Sequence, residues 1–336
     1  MLDYTQLTRR GQIRRLRRLA EAALARYEVG VVSVLLLKHL YNTTFAVTGS
    51  DGSRYVLRVQ RTGDASLDAR RRRARVESEL WWLERLRTDL DLAVPEPVRT
   101  PTGEGAVSVS VEGVPEGMPC ALLRRVDGRF VDRRLMPFHL AQIGRLTARL
   151  HDYSVRLSVP DGFDRQGVVQ ADPETEEGLV RLFTDHRSRE SGRVVRSVLQ
   201  KVRRAQEELG DGAESFGLIH ADIHQKNYLF GNGEARLIDF DDCGWGHYLY
   251  DLAVTISEVG SLPRARSLAE ALFAGYRQIR DLSPAQEGMV HSFYMLRELQ
   301  NTTWFLQQRH NPQFGRVPER EQLDVRLLER LLAESE

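Results

Sequence analysis

Lysine is nearly missing from this chain: Lys38, Lys201 and Lys226 are the whole complement in 336 residues. Positive charge rests on arginine, which bears on how the chain could hold phosphate. Cysteine is scarcer still. Cys120 and Cys243 stand far apart in no metal-ligand spacing, which argues against a disulfide framework and a zinc site and favours a reducing cytoplasm. No apolar run approaches the roughly 20 residues that span a bilayer, and the opening "MLDYTQLTRRGQIRRLRRL" has no apolar signal core. The formal net charge is only +1, so nothing overall pulls the chain toward nucleic acid or a membrane surface. No internal repeat is visible.

What is present divides along the chain. Residues 12–28 place Ile13, Leu16, Ala20, Leu24 and Tyr27 on one helical face. Residues 31–60 read as strands: a long apolar run, then "TFAVT" and "RYVLRV" around the turn cluster "GSDGS". In "RYVLRV", Tyr55, Leu57 and Val59 point one way, and Val56 and Arg58 the other. "DARRRRARVESELWWLERLRTDL" follows as a helix packed through Leu80, Leu83, Leu86 and Trp81 or Trp82. Its arginine run crowds positive charge at a helix N-terminus, which is unfavourable; Asp64, Asp68 and Glu77 are available to offset it. After a further strand pair ending in "CALLRRVDGR" the chain turns helical, at 139–154, 193–209 with Gly210 as C-cap, 265–280, 285–309 and near 323–333. Residues 155–190 read as loop-rich. The four tryptophans are read as packing residues rather than an aromatic cage for a cation.

The densest polar stretch is "HADIHQKN", His220 to Asn227, flanked by the apolar segments "GLI" and "YLF". "GNGE" is a tight turn and "ARLID" a returning strand, so Asp222 and Asn227 enter a hairpin and Asp239 stands where it ends. Antiparallel pairing brings Asn227 and Asp239 together. An amide carbonyl beside a carboxylate is a hard oxygen pair suited to Mg²⁺ shared with substrate phosphates. Asp222 is left to accept a proton from a hydroxyl.

His220, Asp222 and Asn227, followed by Ile238-Asp239-Phe240 and by "YDLA" containing Asp251, resemble the catalytic-loop and metal-binding motifs of the aminoglycoside phosphotransferase, choline kinase and type II homoserine kinase group. The resemblance extends over most of the chain. It implies an α+β, bilobal protein-kinase-like fold, with a small antiparallel-sheet N-lobe over residues 1–121, a connector at 122–128 and a larger helical C-lobe over 129–336. It implies an ATP- and Mg²⁺-dependent phosphotransferase with a hydroxyl of a small molecule (amino alcohol, sugar or antibiotic) as acceptor. Asp222 would be the catalytic base and Asn227 and Asp239 the metal ligands. Arg58 would replace the usual lysine on the ATP phosphates, paired with Glu79 or Glu77. Backbone groups of Leu122, Leu123 and Arg124 would meet the adenine edge, and Val56, Leu229 and Ile238 would sandwich the ring.

His220 and Asp251 are implied as braces of the loop. Asp241 and Asp242 stay open between solvated groups, a second metal site and contacts to a cationic acceptor. There is no glycine-rich loop; "HLYNTT" stands in its place, so phosphate cover falls to Asn42, Thr43 and their backbone amides. Ala221 stands where the group often has glycine. His224, where protein kinases carry lysine, follows the small-molecule enzymes. The acceptor would be lined from "HSFYMLRELQNTTW", with Asp241, Asp242, Glu258, Glu298 and also Arg297 as candidates. A monomer or homodimer is expected, with neither nucleic acid nor membrane as partner. Two alternatives remain: a protein Ser/Thr kinase on the same scaffold, and a nucleotide-binding scaffold without catalysis.

Overall fold

The computed structural model describes residues 4–40, 42–60, 68–131, 134–168, 173–260, 262, 264–308 and 325–334. The chain divides into two compact units, Met1–Asp127 with Val159–Arg165, and Gly128–Ser158 with Gln166–Glu336.

The first unit runs α1 (Arg9–Leu24), β1 (Val31–His39), β2 (Thr43–Gly49), β3 (Arg54–Val59), α2 (Ala69–Leu90), β4 (Glu96–Val98), β5 (Ala106–Ser108) and β6 (Pro119–Arg124). Its antiparallel sheet has the order β1-β2-β3-β6-β4, with β5 also on β6. Alternation decides which face is dry. Phe45, Val47, Tyr55, Leu57 and Val59 join Leu16, Leu19, Ala20 and Leu24 of α1 in one core. The intervening residues, Thr44, Ala46 and Val56, face the other way and stay half-exposed. Leu122, Leu123 and Arg124, expected in a connector, lie inside β6, where Leu122 pairs Leu57 and Leu123 pairs Val56.

Asp68 answers the unfavourable arginine run of α2: it is the N-cap, accepting from the Arg71 N–H at 2.8 Å. Arg71 and Arg73 reach Asp164 and Glu104. Asp64 lies outside the described residues. Of the two tryptophans, Trp82 is buried with Leu80, Leu83 and Leu86, while Trp81 meets the edge of Phe163 at 5.5 Å.

The second unit contains α3 (Pro137–Val155), α4 (Pro173–His186), α5 (Arg189–Leu209), β7 (Phe216–Ile219), β8 (Tyr228–Gly231), β9 (Glu234–Leu237), β10 (Gly244–His247), α6 (Tyr248–Val259), α7 (Ala265–Tyr276), α8 (Pro284–Gln308) and α9 (Val325–Ala333). The helix α4 falls in the stretch expected to be loop-rich. The acidic, proline-containing composition suggested a loop, but Val180 and Phe183 share one helical face and are buried, while Glu176 and Glu177 pair with Arg203 and Arg196 of α5. Among the described residues no helix is long and apolar enough to cross a membrane.

Helices α3 and α7 approach so closely that backbone meets backbone. A Cβ on Gly275 would stand 2.0 Å from the Ala141 carbonyl oxygen, and one on Gly144 would stand 2.0 Å from that of Leu272. Replacing Gly275→Ala is therefore expected to destabilise the protein by about 3 kcal/mol, the upper end of ordinary overpacking. Gly288→Ala in α8 meets nothing within 4 Å and is expected to be neutral or slightly stabilising. Urea denaturation of the two variants checks the contrast.

Candidate functional site

The loop between β7 and β8 is built on one buried carboxylate. Asp251, in the first turn of α6, is fully buried. Its Oδ1 accepts from the Ala221 N–H at 2.6 Å, and its Oδ2 from the His220 N–H at 3.0 Å and from His151 Nε2 at 3.0 Å. Ala221 has φ 68, a left-handed conformation costly for a residue with a Cβ; the hydrogen bond to Asp251 holds it there. His151 comes from α3. Burial lowers its pKa, against the pull of Asp251, so it stays uncharged and donates through Nε2, leaving Nδ1 to accept from the Tyr276 hydroxyl at 3.0 Å. Burial likewise pushes the Tyr276 hydroxyl up, so it keeps its proton. The glycine crossing of α3 and α7 sets the distance between His151 and Tyr276.

From there the loop closes on itself. His220 accepts the Asp222 N–H on Nδ1 at 3.2 Å and donates from Nε2 to the Ile238 carbonyl at 3.2 Å. It thus ties the start of the loop to the residue before Asp239. Asn227 donates from Nδ2 to the Asp222 carbonyl at 3.0 Å and to Asp222 Oδ2 at 2.7 Å, which turns its own Oδ1 elsewhere. Its carbonyl accepts from the Ile238 N–H at 2.9 Å, extending the β8–β9 ladder so that Asp239 follows directly, with φ 63. Leu229 and Ile238 fall on the same side of this hairpin as Asn227.

Asp222 is held on both oxygens. His224 accepts the Lys226 N–H on Nδ1 at 3.1 Å, so its Nε2 proton faces Asp222 Oδ2, at 3.1 Å. Arg297 of α8 donates from Nη2 to Oδ1 at 2.6 Å. Burial raises the Asp222 pKa, but the hydrogen bond from His224 and the charge of Arg297 outweigh it and hold the carboxyl at about 2. For Arg297 the balance is the converse: burial works against its charge, yet Tyr250 and Asp222 more than offset it. The sequence suggested Arg297 only as one lining candidate. Its signal was a charged residue one turn after the buried Phe293 on an otherwise apolar face.

Asp242 is open at its surface but crowded on its inner side. It is pushed up to about 7, first by that crowding and then by the charges of Asp241, Asp222 and Asp239. Negative charge therefore accumulates beside Asp239, in a form that a divalent cation would relieve. Among the described residues no group of three or more His, Cys, Asp or Glu side chains could hold a metal by itself. Burial pushes Glu298 up to about 7, with Glu258 adding to the effect.

In the first unit the choice between the two glutamates is made by geometry. Arg58 forks onto Glu79, Nη1 to Oε1 at 2.9 Å and Nη2 to Oε2, with the two side chains 4% and 1% exposed. Glu77 instead accepts the Ala106 N–H at 2.8 Å. Val56 and Leu123 share with Arg58 the face of the sheet turned away from the α1 core, where Val56 is half-exposed and the other two are buried. Arg124 is turned onto Glu96 and the ring of Tyr55.

Thr43 departs from expectation. It alternates with Phe45 onto the dry face, is fully buried, and pairs its hydroxyl with His39 Nδ1 at 2.7 Å. Its side chain cannot cover phosphates, whereas Asn42 remains at the turn, half-exposed. Register instead puts Thr44 and the exposed Lys38 in the same row as Arg58. Lys38 escaped notice because a β-bulge at Leu37 shifts the alternation of β1.

The phosphotransferase enzyme family model matches residues 34–287, a stretch that includes Arg58, the whole loop and the hairpin. The chain belongs to that family. Amicoumacin kinase of Bacillus subtilis (strain 168) is 27% identical to this phosphotransferase over 297 residues, covering 84% of this chain and 82% of its own. A solved structure of a microcompartment-associated aminopropanol kinase aligns with a TM-score of 0.68 at 29% identity, over 95% of each chain. An amicoumacin kinase in complex with AMP-PNP, Ca²⁺ and Ami aligns with a TM-score of 0.76 at 21% identity, over 98% of this chain and 96% of the other, and so supports the kinase-like fold.

Two stability measurements follow from these pairs. Glu79→Ala strands a buried guanidinium and is expected to cost about 3–5 kcal/mol, most of it recovered in the double variant Arg58→Met, Glu79→Leu; urea unfolding measures both. Asp222 has a depressed pKa in the folded state, against about 3.9 when unfolded. Its contribution is therefore complete above about pH 4 and disappears as pH falls to about 2. The gap in urea midpoint between wild type and Asp222→Asn should narrow over that interval.

Proposed function

We propose that this phosphotransferase moves the terminal phosphoryl group of ATP to a hydroxyl of a small molecule, with Asp222 as the base. The family membership supports phosphotransfer, and the nucleotide analogue and divalent cation held by the structural relative support a nucleotide and a metal. The observation that carries the assignment to Asp222 is its ionised carboxylate, fixed by Asn227, His224 and Arg297 at the mouth of a hairpin that ends in Asp239.

In the second unit Asn227 and Asp239 would hold Mg²⁺, which when bound neutralises charge on the phosphates. In the first unit Arg58, locked by Glu79, would meet phosphate, with Lys38 in the same row of the sheet and Asn42 at the turn between β1 and β2. Val56 and Leu123 would give the adenine an apolar face in that unit. A carboxylate held near pKa 2 is a poor base for a free alcohol. Asp222 therefore orients the hydroxyl first and takes its proton as the new O–P bond forms and the bond to the ADP oxygen breaks. Asp251, His151 and His220 act at one remove, by fixing the loop. Cys120 and Cys243 are buried free thiols, which suits a reducing cytoplasm.

Asp222→Asn is expected to lower turnover by several orders of magnitude while nucleotide binding, followed by calorimetry with an ATP analogue and Mg²⁺, persists. Full turnover in that variant would remove Asp222 from the role. Radiolabelled ATP offered with a broad panel of hydroxyl acceptors supplies the assay.

A further inference from the structure

We propose that the acceptor hydroxyl binds Asp222 at Oδ1, beside the Arg297 guanidinium, and that Arg297 selects acceptors carrying a carboxylate or carboxamide oxygen close to that hydroxyl. This rests on the phosphotransferase reading above. The inference begins from the acceptor capacity of one carboxylate. Each carboxylate oxygen offers two lone-pair sites. On Oδ2 both are used, by Asn227 Nδ2 at 2.7 Å and His224 Nε2 at 3.1 Å. On Oδ1 one is used, by Arg297 Nη2 at 2.6 Å. The site that remains for a substrate hydroxyl therefore adjoins the guanidinium.

Arg297 is suited to a second ligand. Guanidinium has five N–H donors, and its Nε finds no partner among the described residues although it is buried. The side chain is 16% exposed and stays charged. Tyr250, which donates to Gln300 Oε1, stands beside it. A hydroxyl at about 2.7 Å from Oδ1 brings a group one or two carbons away within hydrogen-bond reach of the guanidinium. A carbonyl or carboxylate oxygen is rewarded there with a charge-assisted bond. A bare alkyl or ammonium group leaves the donors unmet or is repelled. Arg297 also lies beyond residue 287, where the family match ends, so it belongs to a part of the chain suited to setting acceptor choice rather than the shared chemistry. Asp241 and Asp242 offer negative charge for an amine elsewhere on the same acceptor, and a hydroxy amino acid or its amide satisfies both demands.

The test uses the full chain with ATP, Mg²⁺ and acceptors matched in pairs that differ only by the carboxylate: L-serine and ethanolamine, L-threonine and 1-aminopropan-2-ol, L-homoserine and 3-aminopropan-1-ol. L-Serinamide and L-threoninamide separate hydrogen bonding from net charge. The expected result is a kcat/KM at least about tenfold higher for the carbonyl-bearing member of a pair. That ratio should collapse toward one in Arg297→Gln and be partly restored in Arg297→Lys. Equal or better use of the bare amino alcohols by the wild type would overturn the inference and leave the kinase assignment standing. Absence of phosphate transfer to every acceptor, here and in the broad panel above, would count against the kinase assignment itself and take the inference with it.

Discussion

The candidate site depends on the buried carboxylate of Asp251. An uncompensated charge at that depth would be expensive. Three N–H donors converge on it instead, two from the backbone of His220 and Ala221 and one from His151. Three demands meet there: the loop needs a left-handed residue, the helix α3 needs a partner for its histidine, and α6 needs its first turn anchored. Satisfying them together makes the loop conformation a property of the helical unit and not of the loop's own sequence. This is how Ala221 can adopt a backbone conformation that glycine would adopt more readily.

Around that anchor the polar groups are ordered by acceptor and donor capacity. Asn227, His224 and Arg297 all converge on Asp222, and its acidity follows from His224 and Arg297 rather than from its own exposure. The first unit solves a comparable problem by other means. Arg58 and Glu79 are almost wholly desolvated, and a two-pronged match of planar groups compensates that loss. Lysine, with a single point of charge, could not reproduce the fork.

Much of this was legible in the sequence. The spacing of His220, Asp222, Asn227 and Asp239 is local, and a hairpin with a tight turn allows few arrangements, so the loop and its order along the chain could be read directly. Strand alternation likewise assigned Val56 and Arg58 to one face. The rest depends on residues far apart along the chain. His151 meets Asp251 across 100 positions, and Arg297 meets Asp222 across 75; no periodicity reports such a meeting. Thr43 and Lys38 were obscured for a nearer reason, since strand phase and a bulge decide which side chain faces inward. The helix α4 was missed because its acidic residues answer arginines of α5 that only the fold brings alongside.

The segment Val159–Arg165 is separated by more than thirty residues from the rest of the first unit, yet belongs to it. The Asp164 N–H donates to Ser78 Oγ at 2.8 Å, Arg165 reaches the Arg75 carbonyl, and Phe163 meets Trp81. A nascent chain that has emerged only to Asp127 therefore lacks part of the flank of α2. Synthesis from the N-terminus cannot finish the sheet-bearing unit first and the helical unit second: α3 must already be made before the first unit receives its last piece.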